Sequence, residues 1–146
     1  MKYAARRHGR RLTGRGEGFT IIELMVAVMI VAILAVLSYP SYQEHLRKGR
    51  RAAAQAFLIE TASRQQQYLL DARRYAVGAG ALTTLNMTVP ATVTPFYTVT
   101  VNPAVATVPP TYQLVATPVA GSVQAPDGVL TLDQDGTRTR GGNPGW

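Results

Sequence analysis

An α+β fold is predicted by three features of this sequence: a dense apolar block near the N-terminus, an amphipathic stretch after it, and short β-branched runs between turns toward the C-terminus. Together they describe a long N-terminal α-helix, with a membrane-length half and an amphipathic half, packed on a small antiparallel β-sheet. With 146 residues, the chain has room for one compact domain plus one membrane-length segment, and a second independent core would not fit.

The first element is a basic stretch over residues 1–18. A net charge of +7 and a pI near 10.3 point to a nucleic-acid or anionic-membrane partner. Six of the fifteen cations, however, lie here: Lys2, Arg6, Arg7, Arg10, Arg11 and Arg15, beside one acid, Glu17. Beyond it nine cations face seven acids, leaving +2. There is no cysteine, which excludes disulfides, thiolate nucleophiles and thiolate metal sites, so stability must come from packing and subunit contacts.

The second element, residues 19–40, carries an uninterrupted apolar run from Leu24 to Leu37. From Phe19 to Tyr39 is about 21 residues, or roughly 31 Å of helix, which matches a hydrocarbon core. Neither glycine nor proline interrupts it, and only a helix could satisfy its own amides in lipid. A secretory signal fits poorly: the run exceeds the usual 7–15 residues or so, and no small-x-small site precedes Pro40. A plain signal anchor would explain the span but not Glu23, whose carboxylate costs roughly 2.5–3.5 kcal/mol inside a membrane segment unless it lies at the interface or has a partner.

The basic stretch, Gly18, Phe19-Thr20-Ile21-Ile22-Glu23-Leu24 and the apolar helix resemble the class III signal of type IV prepilins. The resemblance implies that residues 1–18 are a leader, cut between Gly18 and Phe19 by a prepilin peptidase that also methylates the new amino group of Phe19. It implies further that Glu23 meets the terminal ammonium of a neighbouring subunit. Such a pair, desolvated together, would set axial stagger, because a subunit out of register leaves both charges unpaired. The leader is longer than the shortest of the family, and the next methionine, Met25, lies past the motif. The leader's six cations against Arg47, Lys48, Arg50 and Arg51 beyond the span favour a cytoplasmic N-terminus.

The third element, residues 41–75, continues the helix. Pro40 removes one helical hydrogen bond and predicts a kink or local melting around residues 36–40. In the type IV pilins that this chain resembles, a proline here accompanies unwinding in the filament, which makes Pro40 an assembly residue alongside Glu23. From Arg50 to Tyr75 there is no glycine or proline, and Ala52, Ala56, Ile59, Ala62, Ser63, Leu69 and Leu70 form a stripe that Phe57 and Leu58 widen. Arg47, Lys48, Arg50, Arg51, Arg73 and Arg74 suit a nucleic-acid-facing stripe or lipid phosphates, and without interleaved aromatics the lipid reading is favoured.

The fourth element, residues 76–146, is the head. Residues 76–95 read as a long loop punctuated by Gly78, Gly80, Pro90 and Pro95. Strands are predicted at 96–101, 112–117 and 129–132, with a short fourth around 137–140 after the Asp133-Gln134-Asp135-Gly136 turn. That turn lacks the later glutamate of a calcium loop, so turn chemistry suffices and no metal site is assigned. The strand Tyr112–Pro118, the Leu130–Asp133 segment and Trp146 resemble PilE-like minor pilins of the type IVa class, apart from the disulfide that usually closes their last loop. His8 and His45 are the only histidines, no catalytic set is positioned, and no cofactor is expected.

The resemblance as a whole implies a pilus subunit, not an enzyme, that waits in the inner membrane and is then assembled into an extracellular filament for adhesion, twitching motility or DNA uptake. Its partners would be other pilin subunits, the prepilin peptidase and the inner-membrane assembly platform, with nucleic acid a further candidate. A pseudopilin of a type II secretion system shares the N-terminal signal. A membrane-anchored periplasmic binding protein is the alternative of another class.

Overall fold

The computed structural model describes residues 18–103 and 111–146, and the basic stretch with its six cations and His8 lies outside the described residues. The chain divides into two compact units, Met1–Tyr39 and Pro40–Trp146. Helix α1 runs over Ile21–Ala72. Its portion in the first unit is apolar and fully exposed, long and apolar enough to cross a membrane. Helical assignment continues through Pro40, so the local melting predicted there does not occur in this structure. The neighbouring i→i−4 bonds keep the helix where the proline removes one.

In the second unit, α1 buries Ala54, Phe57, Leu58, Thr61 and Gln65, spaced three and four apart on one face. This corrects the predicted stripe: Ala52, Ala56, Ile59, Ser63 and Leu70 are exposed, and only Phe57 and Leu58 of the residues named for it are fully buried. That partly polar face can be buried because the Thr61 hydroxyl donates to the Phe57 carbonyl within the helix and Gln65 is satisfied by the Ala76 backbone beyond it.

Against that face lies a five-stranded antiparallel meander in the order β1 to β5. The strands are β1 (Tyr97–Pro103), β2 (Tyr112–Pro118), β3 (Leu130–Asp133), β4 (Arg138–Arg140) and β5 (Asn143–Pro144). Strict alternation sends Tyr97, Val99 and Val101 of β1, Tyr112, Leu114 and Ala116 of β2, and Leu130 and Leu132 of β3 into one core with Ala54, Phe57 and Leu58. Full burial of each Leu, Val or Phe here stabilises the fold by about 1.5–3 kcal/mol. Register pairs Val101 with Leu114, and Leu114 with Leu132.

Predicted strand positions agree to within a residue or two, and β4 falls inside the predicted 137–140. Strand β5 was not anticipated, because two residues ending in proline carry no alternation and proline is tolerated only at such an edge. Residues 76–95 are more ordered than a loop. They contain a one-turn helix α2 (Ala81–Thr84), bury Ala81, Leu85 and Val93 in the core, and donate Gly78 N–H to the Val101 carbonyl at 2.7 Å. A free sheet edge is thereby partly covered.

A 3-10 turn at Ala125–Asp127 leads to Gly128, whose φ of 83° only glycine adopts easily. A Cβ at Gly128 would stand 3.0 Å from the Cα of Gly141, so the segment entering β3 passes too close to the β4–β5 turn for a side chain.

Candidate processing and assembly site

The start of α1 is built by a single side chain. The Thr20 hydroxyl accepts the Glu23 N–H at 3.2 Å, and the Thr20 carbonyl accepts Leu24 N–H, also at 3.2 Å. Thr20 is therefore the N-cap, and Thr20-Ile21-Ile22-Glu23 has the residue pattern of a capping box. Glu23 sits in the first turn, where its negative charge is favoured by the exposed N–H groups of the helix end. The sequence reading singled out Glu23 and overlooked Thr20, although threonine three residues before glutamate ahead of an apolar run is the signal for such a cap.

Gly18 and Phe19 precede the helix in non-helical backbone, and Phe19 is 85% exposed. A Cβ at Gly18 would meet nothing within 4 Å. The fold therefore places no steric demand for glycine at position 18, and the Gly18–Phe19 bond is presented as open chain against a capped helix. Pro40 lies twenty-one residues from Phe19 in the sequence, inside α1, and shares no site with the first three.

A second constellation joins α1 to the head. Arg51 Nε donates to both carboxylate oxygens of Asp127 at 2.8 Å, and its Nη2 donates to Oδ1 as well. The Tyr97 hydroxyl donates to Asp127 Oδ2 at 2.5 Å, and Gln124 Nε2 reaches the same oxygen at 3.1 Å, the Tyr97 hydroxyl at 3.0 Å and the Arg47 carbonyl at 3.1 Å. Burial pushes the Asp127 carboxyl up, but the Arg51, Tyr97 and Gln124 hydrogen bonds together hold it below its ordinary value. Burial first, and then the bond to Asp127, raises the Tyr97 phenol. The bond to Asp127 raises the Arg51 guanidinium further.

This network changes the reading of the basic cluster. Arg51 is inside the fold and Arg47 pairs with Glu44 at 3.4 Å, so of the six cations predicted to face a partner, two already hold carboxylates. Arg50 lies over the Phe96 ring at 4.2 Å, and Lys48, Arg73 and Arg74 are exposed. Higher on α1, Gln65 grips Ala76 twice, accepting its N–H at 2.9 Å and donating to its carbonyl at 2.5 Å.

The C-terminal loop needs no disulfide. Trp146 Nε1 donates to the Thr131 carbonyl at 3.0 Å, the Arg138 guanidinium lies 4.9 Å from the indole centroid, and Gly145 N–H reaches the Arg138 carbonyl at 2.8 Å. Asp135 in the β3–β4 turn accepts Thr137 N–H, which lowers its carboxyl pKa and accounts for the acidic turn.

A membrane-length helix with an N-terminal carboxylate, continued into an amphipathic helix under an antiparallel meander, is the architecture of a type IV pilin. Residues 40–130 match the family model described as type IV minor pilin ComP, DNA uptake sequence receptor, and residues 15–39 match the prokaryotic N-terminal methylation motif. The chain belongs to that minor-pilin family.

It is 32% identical over 79 residues to the type IV wide pilus major component PilA4 of Thermus thermophilus, covering 53% of this chain and 60% of that protein. It is 54% identical over 33 residues to the prepilin peptidase-dependent protein D of Escherichia coli, 23% of each chain. It is 34% identical over 71 residues to the type II secretion system core protein G of Dickeya chrysanthemi, 47% of this chain and 46% of that one. The chain thus spans at most about three fifths of these relatives' lengths.

Proposed function

We propose that this chain is a structural, non-catalytic minor subunit of a type IV pilus, cleaved between Gly18 and Phe19 and methylated on the Phe19 amino group by prepilin peptidase. Before assembly it is held in the inner membrane by residues 19–40, with its N-terminus cytoplasmic. It then enters an extracellular filament through the assembly platform, with Glu23 meeting the Phe19 ammonium of a neighbouring pilin and Pro40 permitting the helix to loosen.

The observation that carries this reading is the start of α1. An unpacked Gly18, an exposed Phe19 and a Thr20-capped helix leave an accessible, non-helical bond just ahead of the apolar helix, within the matched methylation motif. A protease needs extended substrate, and a helix that begins only after the cut needs no remodelling.

Intact mass and N-terminal sequencing of the protein from membranes and sheared filaments of its host test this. The expected result is a chain starting at Phe19 with one extra methyl group, present in the filament fraction. A processed chain absent from filaments would favour the type II secretion pseudopilin, a reading supported by the likeness to core protein G. An intact leader would overturn both.

A second reading is favoured by the family match over 40–130: a role in DNA uptake as a duplex-binding subunit. Exposed Arg64, Arg73, Arg74, Arg138 and Arg140 supply cations for phosphate contacts. Anisotropy of labelled duplex DNA against salt concentration tests it, with a steep loss of affinity as salt rises expected and a salt-independent signal fatal to it.

A further inference from the structure

On the side of α1 away from the Arg51–Asp127 pair lies an open groove of about 660 Å³, formed by helix residues 45–53 and the turn that carries Thr92. Leu46, Gly49, Ala52 and Ala53 make its wall apolar, Lys48 and Arg50 make it basic, and His45 adds an imidazole. No carboxylate and no Phe, Tyr or Trp is among its lining residues. Lys48 and Arg50 form no ion pair among the described residues, unlike Arg47 and Arg51, and the Phe96 ring fixes the Arg50 guanidinium without neutralising it.

We infer that this groove binds the anionic headgroup of a phospholipid from the bilayer that holds residues 19–39. An apolar wall beside unneutralised cations complements the glycerol-ester region and phosphate of a lipid, whereas the apolar half of the groove offers a polyanionic nucleic acid nothing. The tether adds a second argument. His45 is six residues beyond Tyr39, a rise of about 9 Å as helix and no more than about 20 Å fully extended. At that helical rise, which the continuous α1 provides, the His45 end of the groove lies within the roughly 8–10 Å over which an anionic surface's potential decays. Lipid held there would keep the head against the membrane until the subunit is extracted. The inference rests on membrane insertion of the apolar helix, a part of the proposed function that the experiment checks first.

The chain has no cysteine, so a single Thr92→Cys variant of the full chain reports on the groove alone. It is reconstituted in nanodiscs of phosphatidylcholine, with or without phosphatidylglycerol, and co-elution with both discs establishes insertion. Reaction with an uncharged maleimide is then timed, with Ala120→Cys, an exposed head position, as control. Labelling at residue 92 is expected to slow about fivefold in the anionic discs only. Lys48→Ser, a change at an exposed side chain, should remove most of that protection, and adding Arg50→Ser should remove the rest.

Co-elution without any difference between discs would overturn the headgroup site while leaving insertion intact. Equal slowing at residue 120 would reduce the effect to bulk surface potential and overturn it too. Protection in phosphatidylcholine discs by inorganic phosphate would assign a free anion instead. Protection there by duplex DNA would assign a nucleic acid.

Discussion

Arg51 on α1 and Asp127 at the end of the 3-10 turn are joined across 76 residues of sequence by a forked, charge-assisted contact whose two side chains are 17% and 2% exposed. Removing one partner of such a pair leaves the other charge buried, a cost of about 3–5 kcal/mol in proteins generally. Asp127→Ala also removes the acceptor of the Tyr97 hydroxyl proton and one of the three acceptors of the Gln124 amide. The expected loss is therefore about 3 kcal/mol or more, read from urea unfolding of the processed chain in detergent. A loss below about 1 kcal/mol would reduce the contact to the value of a surface pair.

The same carboxylate gives stability a pH dependence of defined sign. Its folded pKa lies below the ordinary value, so its contribution is complete above the unfolded pKa near 3.8 and is lost as pH falls through the folded pKa. The stability difference between the wild type and Asp127→Asn should be flat from about pH 5 to pH 9 and shrink below about pH 4. Tyr97, whose pKa is raised, works in the opposite sense: its contribution is present below the unfolded phenol value and lost as pH climbs through the folded one. A difference that persists unchanged at pH 2 would show that Asp127 is not the titrating group.

At the start of α1, folding and processing should separate. Gly18→Val meets no neighbour within 4 Å, so thermal unfolding of the head should shift by less than about 2 °C, while cleavage at Gly18–Phe19 fails and the unprocessed mass accumulates. A Gly18→Val chain that is cleaved normally would remove Gly18 from the processing site.

Trp146 is the chain's one tryptophan and therefore its own reporter. Trp146→Ala removes the bond to the Thr131 carbonyl and the cation–π contact with Arg138, and is expected to cost about 1–2 kcal/mol. Hydrogen exchange should quicken first at β4 and β5. In the wild type, acrylamide should quench Trp146 only weakly until the sheet unfolds.

Much of this fold was legible because apolar residues alternate in the strands and run unbroken in the first helix. Val99, Val101, Leu114, Leu130 and Leu132 declared the sheet's inner face, and residues 19–39 declared their solvent. The amphipathic half of α1 misled for a physical reason. Periodicity counts apolar side chains, and the exposed Ala52, Ala56, Ile59 and Leu70 outnumber Ala54, Phe57 and Leu58, the fully buried apolar residues of the true face. That face carries Thr61, Gln65 and, at its lower edge, Arg51, whose partners are Phe57, Ala76 and Asp127. For Gln65 and Arg51 burial depends on where a partner outside the helix folds, which local pattern does not encode. Gly18, Phe19 and Glu23 were legible as a motif, yet Thr20, the residue that organises their geometry, was read only as part of the string.

The polar grip on α1 has a mechanical consequence. A purely oily helix face would let the sheet slip along the axis by a turn and regain most of its contact area. Here a displacement of about 5.4 Å, one helical turn, would leave Arg51, Asp127, Gln65 and the Ala76 peptide unpaired at once. Tension applied to the helix is therefore passed to the head in shear, with no intermediate resting place between the seated arrangement and separation.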